Sequence, residues 1–91
     1  MTYMLCRNRV ADYLLWKAVL ASHAVAHRDA GLSLVSIWRS VEEPNNVFFL
    51  FEASCMEKAR AFINNPEAAK AGEISGVLDG DYDFVEDAGG Y

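Results

Sequence analysis

The sequence has few cysteines, few cations and no long apolar run. Cys6 and Cys55 are too few for the disulfide framework of a small secreted domain, and we interpret both as buried thiols. Eight lysines and arginines against thirteen acidic residues give a net charge of −5, which argues against nucleic acid and anionic membranes as partners. The longest apolar runs, such as 47–51, are too short to cross a bilayer, and the N-terminus lacks the pattern of a secretion signal. We therefore expect a cytoplasmic protein.

Apolar residues make up 53% of the 91 residues, which is enough for the small core of one domain. We place that domain at residues 1–86 and interpret residues 87–91 as a loose C-terminal tail. A core of this size often depends on a partner chain, so an apolar surface is expected to be buried by assembly.

The stretch from Asp12 to Ala30 has the periodicity of one long helix. Asp12 is its expected N-cap, and Gly31 is the expected left-handed residue that ends it. The face predicted to be most buried includes Tyr13, Trp16, Val19, Leu20, His23 and His27. The opposite side carries a second apolar strip, so this helix should be covered on more than one side; the strip consists of Leu14, Ala18, Ala21 and Val25.

Alternation and turn signals predict four strands, at 2–10, 32–41, 47–53 and 81–86. Asn8 is a polar residue on the apolar side of the first strand, and Trp38 shares a face of the second strand with Leu34. A second helix is expected from Ser54, through a capping box with Glu57, and a short third one runs from Pro66 to Gly72. Residues 74–80 are predicted to form a loop.

This order of elements, βαββαβ, predicts an α+β fold of the ferredoxin-like, split βαβ type: a four-stranded antiparallel sheet with both helices on one face. The other face still carries apolar side chains, either Phe48 and Leu50 or their alternates Val47, Phe49 and Phe51. A chain this short can bury that face only against a second copy. We therefore expect a homodimer joined sheet to sheet.

Three segments resemble the dimeric α/β-barrel superfamily: Tyr-Met-Leu-Cys-Arg-Asn-Arg-Val at 3–10, Asp-Tyr-Leu-Leu-Trp-Lys at 12–17, and Pro-Asn-Asn-Val-Phe-Phe-Leu-Phe-Glu at 44–52. This superfamily includes antibiotic-biosynthesis monooxygenase-like domains, aromatic polyketide cyclases and cofactor-free heme-degrading oxygenases. The resemblance implies a barrel at the dimer interface and a ligand pocket between each sheet and its helices. Heme-degrading members use an asparagine on the first strand, which Asn8 matches, and a tryptophan, which Trp38 could supply. Their helical histidine lies on the later helix, whereas both histidines here lie on the first.

The two histidines are the main candidates for chemistry. His23 and His27 stand one turn apart, but no HExxH glutamate lies between them and no third ligand is marked, so we expect neither a metal nor another cofactor. Either imidazole could remove a proton from a phenol or an enolisable ketone, with Asn8 holding a carbonyl or an oxygen species. Three aromatic residues could stack on an aromatic ligand: Tyr13, Trp16 and Trp38. The plainer interpretation is that the histidines bond to backbone carbonyls and that the asparagine and the aromatic residues belong to the core.

Two functions from different classes follow. The first is a small enzyme of the monooxygenase-like or cyclase-like kind, acting on an aromatic or polyketide-like molecule without metal or flavin. The second is a non-catalytic, small-molecule-binding or stress-related dimer that retains the pocket. An open cavity that reaches Asn8 and a histidine would favour the enzyme, whereas a pocket filled by Tyr13, Trp16 and Trp38 would favour the binding protein.

Overall fold

A computed structural model describes all residues from 1 to 91. The chain begins with strand β1 (Thr2–Val10), helices α1 (Tyr13–Ser22) and α2 (Ala24–Asp29), and strands β2 (Leu32–Arg39) and β3 (Asn46–Ala53). It continues with helices α3 (Met56–Ile63) and α4 (Pro66–Ile74) and ends its regular structure with strand β4 (Val77–Glu86). Residues 87–91 belong to no helix or strand. None of the helices combines the length and apolar character needed to cross a membrane.

The four strands form one antiparallel sheet in the order β2-β3-β1-β4. Alternate residues of the two central strands are buried under the helices; on β1 and β3 these are Met4, Cys6, Val10, Val47, Phe49, Phe51 and Ala53. Trp16 of α1 and Ala59 of α3 complete this core from the helical side. The predicted α+β, ferredoxin-like fold is confirmed, and of the two alternatives for β3 it is Phe48 and Leu50 that face away from the helices.

Strand β2 departs from the predicted alternation. Its pairing with β3 shifts between Leu34 and Ser36, where a bulge inserts one extra residue. Beyond the bulge, Ile37 lies opposite buried Phe49 and therefore faces the helices, whereas Trp38 lies opposite Phe48. The prediction that Trp38 shares a face with Leu34 is wrong, and its side chain is 48% exposed on the open face of the sheet.

The predicted helix from 12 to 30 is divided at His23. The hydroxyl of Ser22 and Nδ1 of His23 both bond to the carbonyl oxygen of Val19, at 2.6 and 2.8 Å. The backbone N–H of His23 turns instead to Leu20 O, at 3.1 Å, which tightens this turn. Both predicted ends are confirmed, because Asp12 accepts a hydrogen bond from the N–H of Leu15 and Gly31 has a φ of 73°.

The start of α3 differs from the prediction. The N-cap is Cys55, whose side chain makes no capping bond, and the hydroxyl of Ser54 donates to Gly31 O at 3.2 Å. The predicted capping box is therefore wrong, because Ser54 fastens β3 to the end of α2 instead of capping the next helix.

Helix α4 starts at Pro66, as the sequence predicts. Asn65 caps α4 by accepting from the N–H of Glu67 at 2.9 Å, and Pro66 occupies the first turn. Gly72 does not end this helix, which continues to Ile74 and closes at Gly76, with a φ of 77°. The last strand then begins at Val77, inside the segment predicted to be a loop.

The face of the sheet away from the helices combines apolar and charged side chains. Its apolar residues include Leu5, Trp38, Phe48, Leu50 and Val85. Arg7 bonds to Asp79 and Asp81, and Arg9 bonds to Asp79, so both arginines form ion pairs with β4. These hydrogen bonds raise the pKa of Arg7 and lower the pKa of Asp79.

Candidate functional site

A cavity of about 570 Å³ lies between the helices and the sheet. Its walls are largely apolar and aromatic, with contributions from Trp16, Leu20, Phe49, Phe51, Phe62 and Ile63. Asn8, His23 and His27 all line the same cavity. The structure therefore brings four of the six predicted site residues together around one space large enough for a small aromatic molecule.

Trp16 connects the wall of the cavity to Asn8. Its side chain is only 2% exposed and packs against Phe49, with ring centroids 5.2 Å apart. When the amide of Asn8 is oriented to satisfy both of its ends, Oδ1 accepts from Trp16 Nε1 at 3.1 Å and Nδ2 donates to Arg7 O at 2.9 Å. One N–H of Nδ2 and one lone pair of Oδ1 are left over by these two bonds, so the amide retains capacity for a ligand.

Gly80 provides the space that Asn8 occupies. The two residues are direct partners in the pairing of β1 with β4. A Cβ atom at position 80 would run into the amide of Asn8 and would lie 2.7 Å from Arg7 O. The amide position thus depends on the absence of a side chain on the neighbouring strand.

The hydrogen bonds of His23 define its tautomer. A carbonyl oxygen can only accept, so Nδ1, which lies 2.8 Å from Val19 O, must carry a hydrogen atom in the bonded state. In the neutral ring this leaves Nε2 as an acceptor with a free lone pair. The divided helix therefore holds His23 in the form required of a proton acceptor.

His27 has a different environment. Its ring packs between Phe51 and Phe62, at centroid distances of 5.0 and 5.3 Å. Burial lowers the pKa of His27, and a positive charge on His23, whose ring centroid is 6.5 Å away, would lower it further. The imidazole of His27 is consequently neutral at physiological pH and forms part of the aromatic wall.

The remaining predicted residues lie outside the cavity. Tyr13 stacks on the outer side of Trp16, at 5.9 Å between ring centroids, and carries the guanidinium of Arg39 at 3.9 Å from its own ring. Trp38 is on the opposite face of the sheet. In their place the structure supplies Phe51 of β3 and Phe62 of α3. Apolar periodicity marks both as buried, but it does not distinguish the wall of a cavity from the core.

Cys6 also lines the cavity, but its environment makes it inert. Burial, and then the negative charge of Asp81, raise the pKa of the Cys6 thiol to about 12. The group is therefore protonated at physiological pH and is not a nucleophile. The side chains form no group of three or more His, Cys, Asp or Glu that could hold a metal ion.

Solved structures share this architecture over nearly the whole chain. A proposed antibiotic biosynthesis monooxygenase from Bordetella bronchiseptica superimposes with a TM-score of 0.76 at 12% identity, covering 96% of each chain. SnoaB, a cofactor-independent oxygenase from Streptomyces nogalater, gives a TM-score of 0.74 at 11% identity, covering 98% of this chain and 94% of its own. A second proposed monooxygenase, from Deinococcus radiodurans, gives 0.68 at 14% identity, with 100% and 96% covered.

These similarities confirm the resemblance at the level of the fold. Comparison with models of known protein families gives no match, and comparison with curated protein sequences gives none either. The chain therefore has the fold of the antibiotic biosynthesis monooxygenase-like proteins, and at 11–14% identity these similarities show the fold alone.

Proposed function

We propose that this chain is a cytoplasmic, homodimeric enzyme of the monooxygenase-like or cyclase-like class that acts on an aromatic or polyketide-like molecule without a cofactor. The observation that carries the proposal is the tautomer of His23. Its Nδ1–H is bonded to Val19 O, so its acceptor nitrogen belongs to a side chain that lines an aromatic cavity. An acceptor imidazole beside a bound phenol or enolisable ketone is a general base.

The proposed step is a proton transfer. The proton of the ligand moves to Nε2 of His23, and the bonding electron pair stays on the ligand as a phenolate or an enolate. The resulting imidazolium is stabilised by Val19 O and by the hydroxyl of Ser22, which lies 3.1 Å from Nδ1. His27 remains neutral beside it, so it adds no charge that would oppose this transfer.

Asn8 is proposed to bind the oxygen on which charge develops. One N–H of its amide is free, and the bond from Trp16 Nε1 fixes the plane of the group. A neutral amide donor in an apolar cavity stabilises a developing oxyanion more strongly than water would, because it is already oriented. The enolate could then close a ring on a carbonyl of the same ligand, or react with dioxygen.

The open face of the sheet supports the homodimeric part of the proposal. Phe48 and Leu50 lie on this face beside Trp38 and Leu5, and the helices contribute nothing to their cover. An apolar area of this kind on a 91-residue chain is typical of an interface. A second copy would bury it and would leave the cavity on the helical side of each subunit.

Hydrogen–deuterium exchange into anthrone tests the base. Anthrone is an aromatic ketone whose methylene protons exchange through an enolate, and exchange without oxygen isolates the proton transfer from any oxidation. We expect His23→Gln to slow catalysed exchange by roughly 100-fold or more, the usual contribution of a general base. His27→Gln is the matched control and should slow it much less.

Three results would contradict the proposal or redirect it. Equal exchange rates for the wild type and His23→Gln would exclude His23 as the base. Loss of several kcal/mol of stability in both histidine variants would assign the rings to the core instead. Binding of anthrone without any exchange would support the alternative, a non-catalytic dimer that binds a small molecule.

With oxygen present, the same mixture separates the two enzyme classes. Oxidation of anthrone by dioxygen gives anthraquinone and water, so an oxygenase consumes one O2 for each anthrone. A cyclase-like enzyme would exchange the methylene protons and would consume no oxygen above the uncatalysed background.

A further inference from the structure

A second cavity, of about 310 Å³, lies between the first helical pair and strand β2. It shares three lining residues with the larger cavity: Leu20, His27 and Phe51. The two spaces are therefore neighbours, separated by the side chains of His27 and Phe51. An extended ligand that occupied both would pass this aromatic pair.

The two cavities carry opposite charges. Lys17 and Arg28 line the second cavity, which has no carboxylate among its lining residues. The larger cavity has the reverse arrangement: no lysine or arginine lines it, and Glu67 and Glu73 contribute two carboxylates, whereas the carboxylate of Asp81 is bonded to Arg7 on the other face of the sheet. A ligand with one anionic end would thus have a single favourable orientation across the pair.

Lys17 and Arg28 have no ion-pair partner within the chain. The ion pairs of this protein involve Arg7 and Arg9 on the sheet. The whole chain has a net charge of −5, so two unpaired cations beside one apolar space make this part of the surface positive on an otherwise negative protein. Both side chains are exposed, so water screens each charge, and the attraction for an anion comes from two cations beside the same apolar space.

We propose that the second cavity is a binding site for the anionic end of an aromatic ligand, a carboxylate or sulfonate held near Lys17 and Arg28, whose rings extend past His27 toward the larger cavity. This inference rests on the aromatic ligand class of the proposed function and adds the charge of the substrate. It also assigns Lys17 and Arg28 to specificity, since an uncharged ligand of the same shape would gain nothing from them.

Two fluorescent probes with the same aromatic skeleton test the site. One is 8-anilinonaphthalene-1-sulfonate, which is anionic, and the other is N-phenyl-1-naphthylamine, which lacks the sulfonate. We expect the double variant Lys17→Met/Arg28→Met to weaken binding of the anionic probe by about tenfold, the combined loss of two solvent-exposed charge contacts. The dissociation constant of the uncharged probe should stay unchanged, because methionine preserves the apolar stems that line the cavity.

The double variant Lys58→Met/Lys70→Met is the matched control. Both lysines are exposed on α3 and α4, neither lines either cavity, and their removal changes the net charge by the same amount. It should leave the affinity for both probes unchanged. Equal weakening in the two double variants would mean that only net charge matters, and no weakening in the first would place the anionic probe elsewhere; either result overturns the inference.

Anthrone exchange distinguishes this inference from the proposed function. Exchange that depends on His23, together with probe binding that ignores Lys17 and Arg28, would refute only the anionic site. Selective loss of the anionic probe in the first double variant, in a protein that does not catalyse exchange, would support the anionic site and refute only the enzymatic proposal.

Discussion

Replacing Gly80 by alanine should destabilise the protein through Asn8. The new methyl group would run into the amide of Asn8 and would lie 2.7 Å from Arg7 O. The Arg7 carbonyl belongs to the backbone of β1 in the middle of the sheet, so it cannot rotate away. Room is made in one of two ways: Asn8 turns, which breaks its bonds to Trp16 Nε1 and to Arg7 O and lets the methyl group shift away from that oxygen, or β1 and β4 separate locally.

The magnitude follows from these two bonds. Each neutral hydrogen bond contributes about 0.5–1.5 kcal/mol, so their combined loss costs roughly 1–3 kcal/mol. Separating the strands to relieve the clash would cost a similar amount of stability, about 1–3 kcal/mol. For a domain of this size, the corresponding decrease in Tm is roughly 5–20 °C.

Gly72→Ala is the matched substitution. Gly72 lies inside α4, and a Cβ atom there would meet nothing within 4 Å. Alanine should therefore raise stability by about 0.5–1 kcal/mol, because it is the better helix former and restricts the unfolded chain. Thermal unfolding followed by circular dichroism, at one fixed protein concentration, measures both variants. A Gly80→Ala protein as stable as the wild type, with unchanged tryptophan fluorescence, would refute the assigned position of Asn8.

Two further predictions concern charge and assembly. The lowered pKa of His27 means that protonation of this ring opposes folding. The stability that the neutral ring contributes is complete above the ordinary pKa near 6.5 and is lost as the pH falls through the lower pKa of the folded protein. Between pH 7.5 and 5, the free energy of unfolding measured in urea should therefore decline less in His27→Phe than in the wild type. An equal decline would locate the effect elsewhere. Phe48→Glu on the open face of the sheet should yield a monomer in sedimentation equilibrium, whereas Leu14→Glu, at a helix position that is 75% exposed, should not. A dimer that survives Phe48→Glu would contradict assembly through the sheet.

The fold could be predicted because its two central strands are regular where they are buried. Met4 and Cys6 on β1, and Val47, Phe49 and Phe51 on β3, follow a strict period of two and are all buried on the face of the sheet that the helices cover. The buried face of such a strand can be predicted from the alternation of apolar residues in the sequence. The antiparallel sheet then follows from the order of the elements, βαββαβ, which is that of the split βαβ type.

The irregularities could not be predicted, because each depends on a competition that periodicity does not describe. The bulge in β2 adds a residue at Val35, whose type is as compatible with a regular strand as with a bulge. The division of the first helix depends on two side chains, of Ser22 and His23, taking one carbonyl from the backbone. The hydroxyl of Ser54 likewise donates to Gly31 O and does not cap the helix that follows it.

For Asn8, Trp16, Trp38 and His27, the position relative to these irregularities explains which face of the strand or helix each side chain takes. Asn8 precedes the register shift of β1 at Arg9, and Trp16 precedes the helix division, so both keep the predicted face. Trp38 follows the bulge and is reversed. His27 follows the division at His23 and still reaches the cavity, because its N–H bonds to His23 O with the ordinary four-residue spacing, at 2.9 Å. One tightened turn leaves the phase of a helix nearly unchanged, whereas one extra residue in a strand moves every later side chain to the other face.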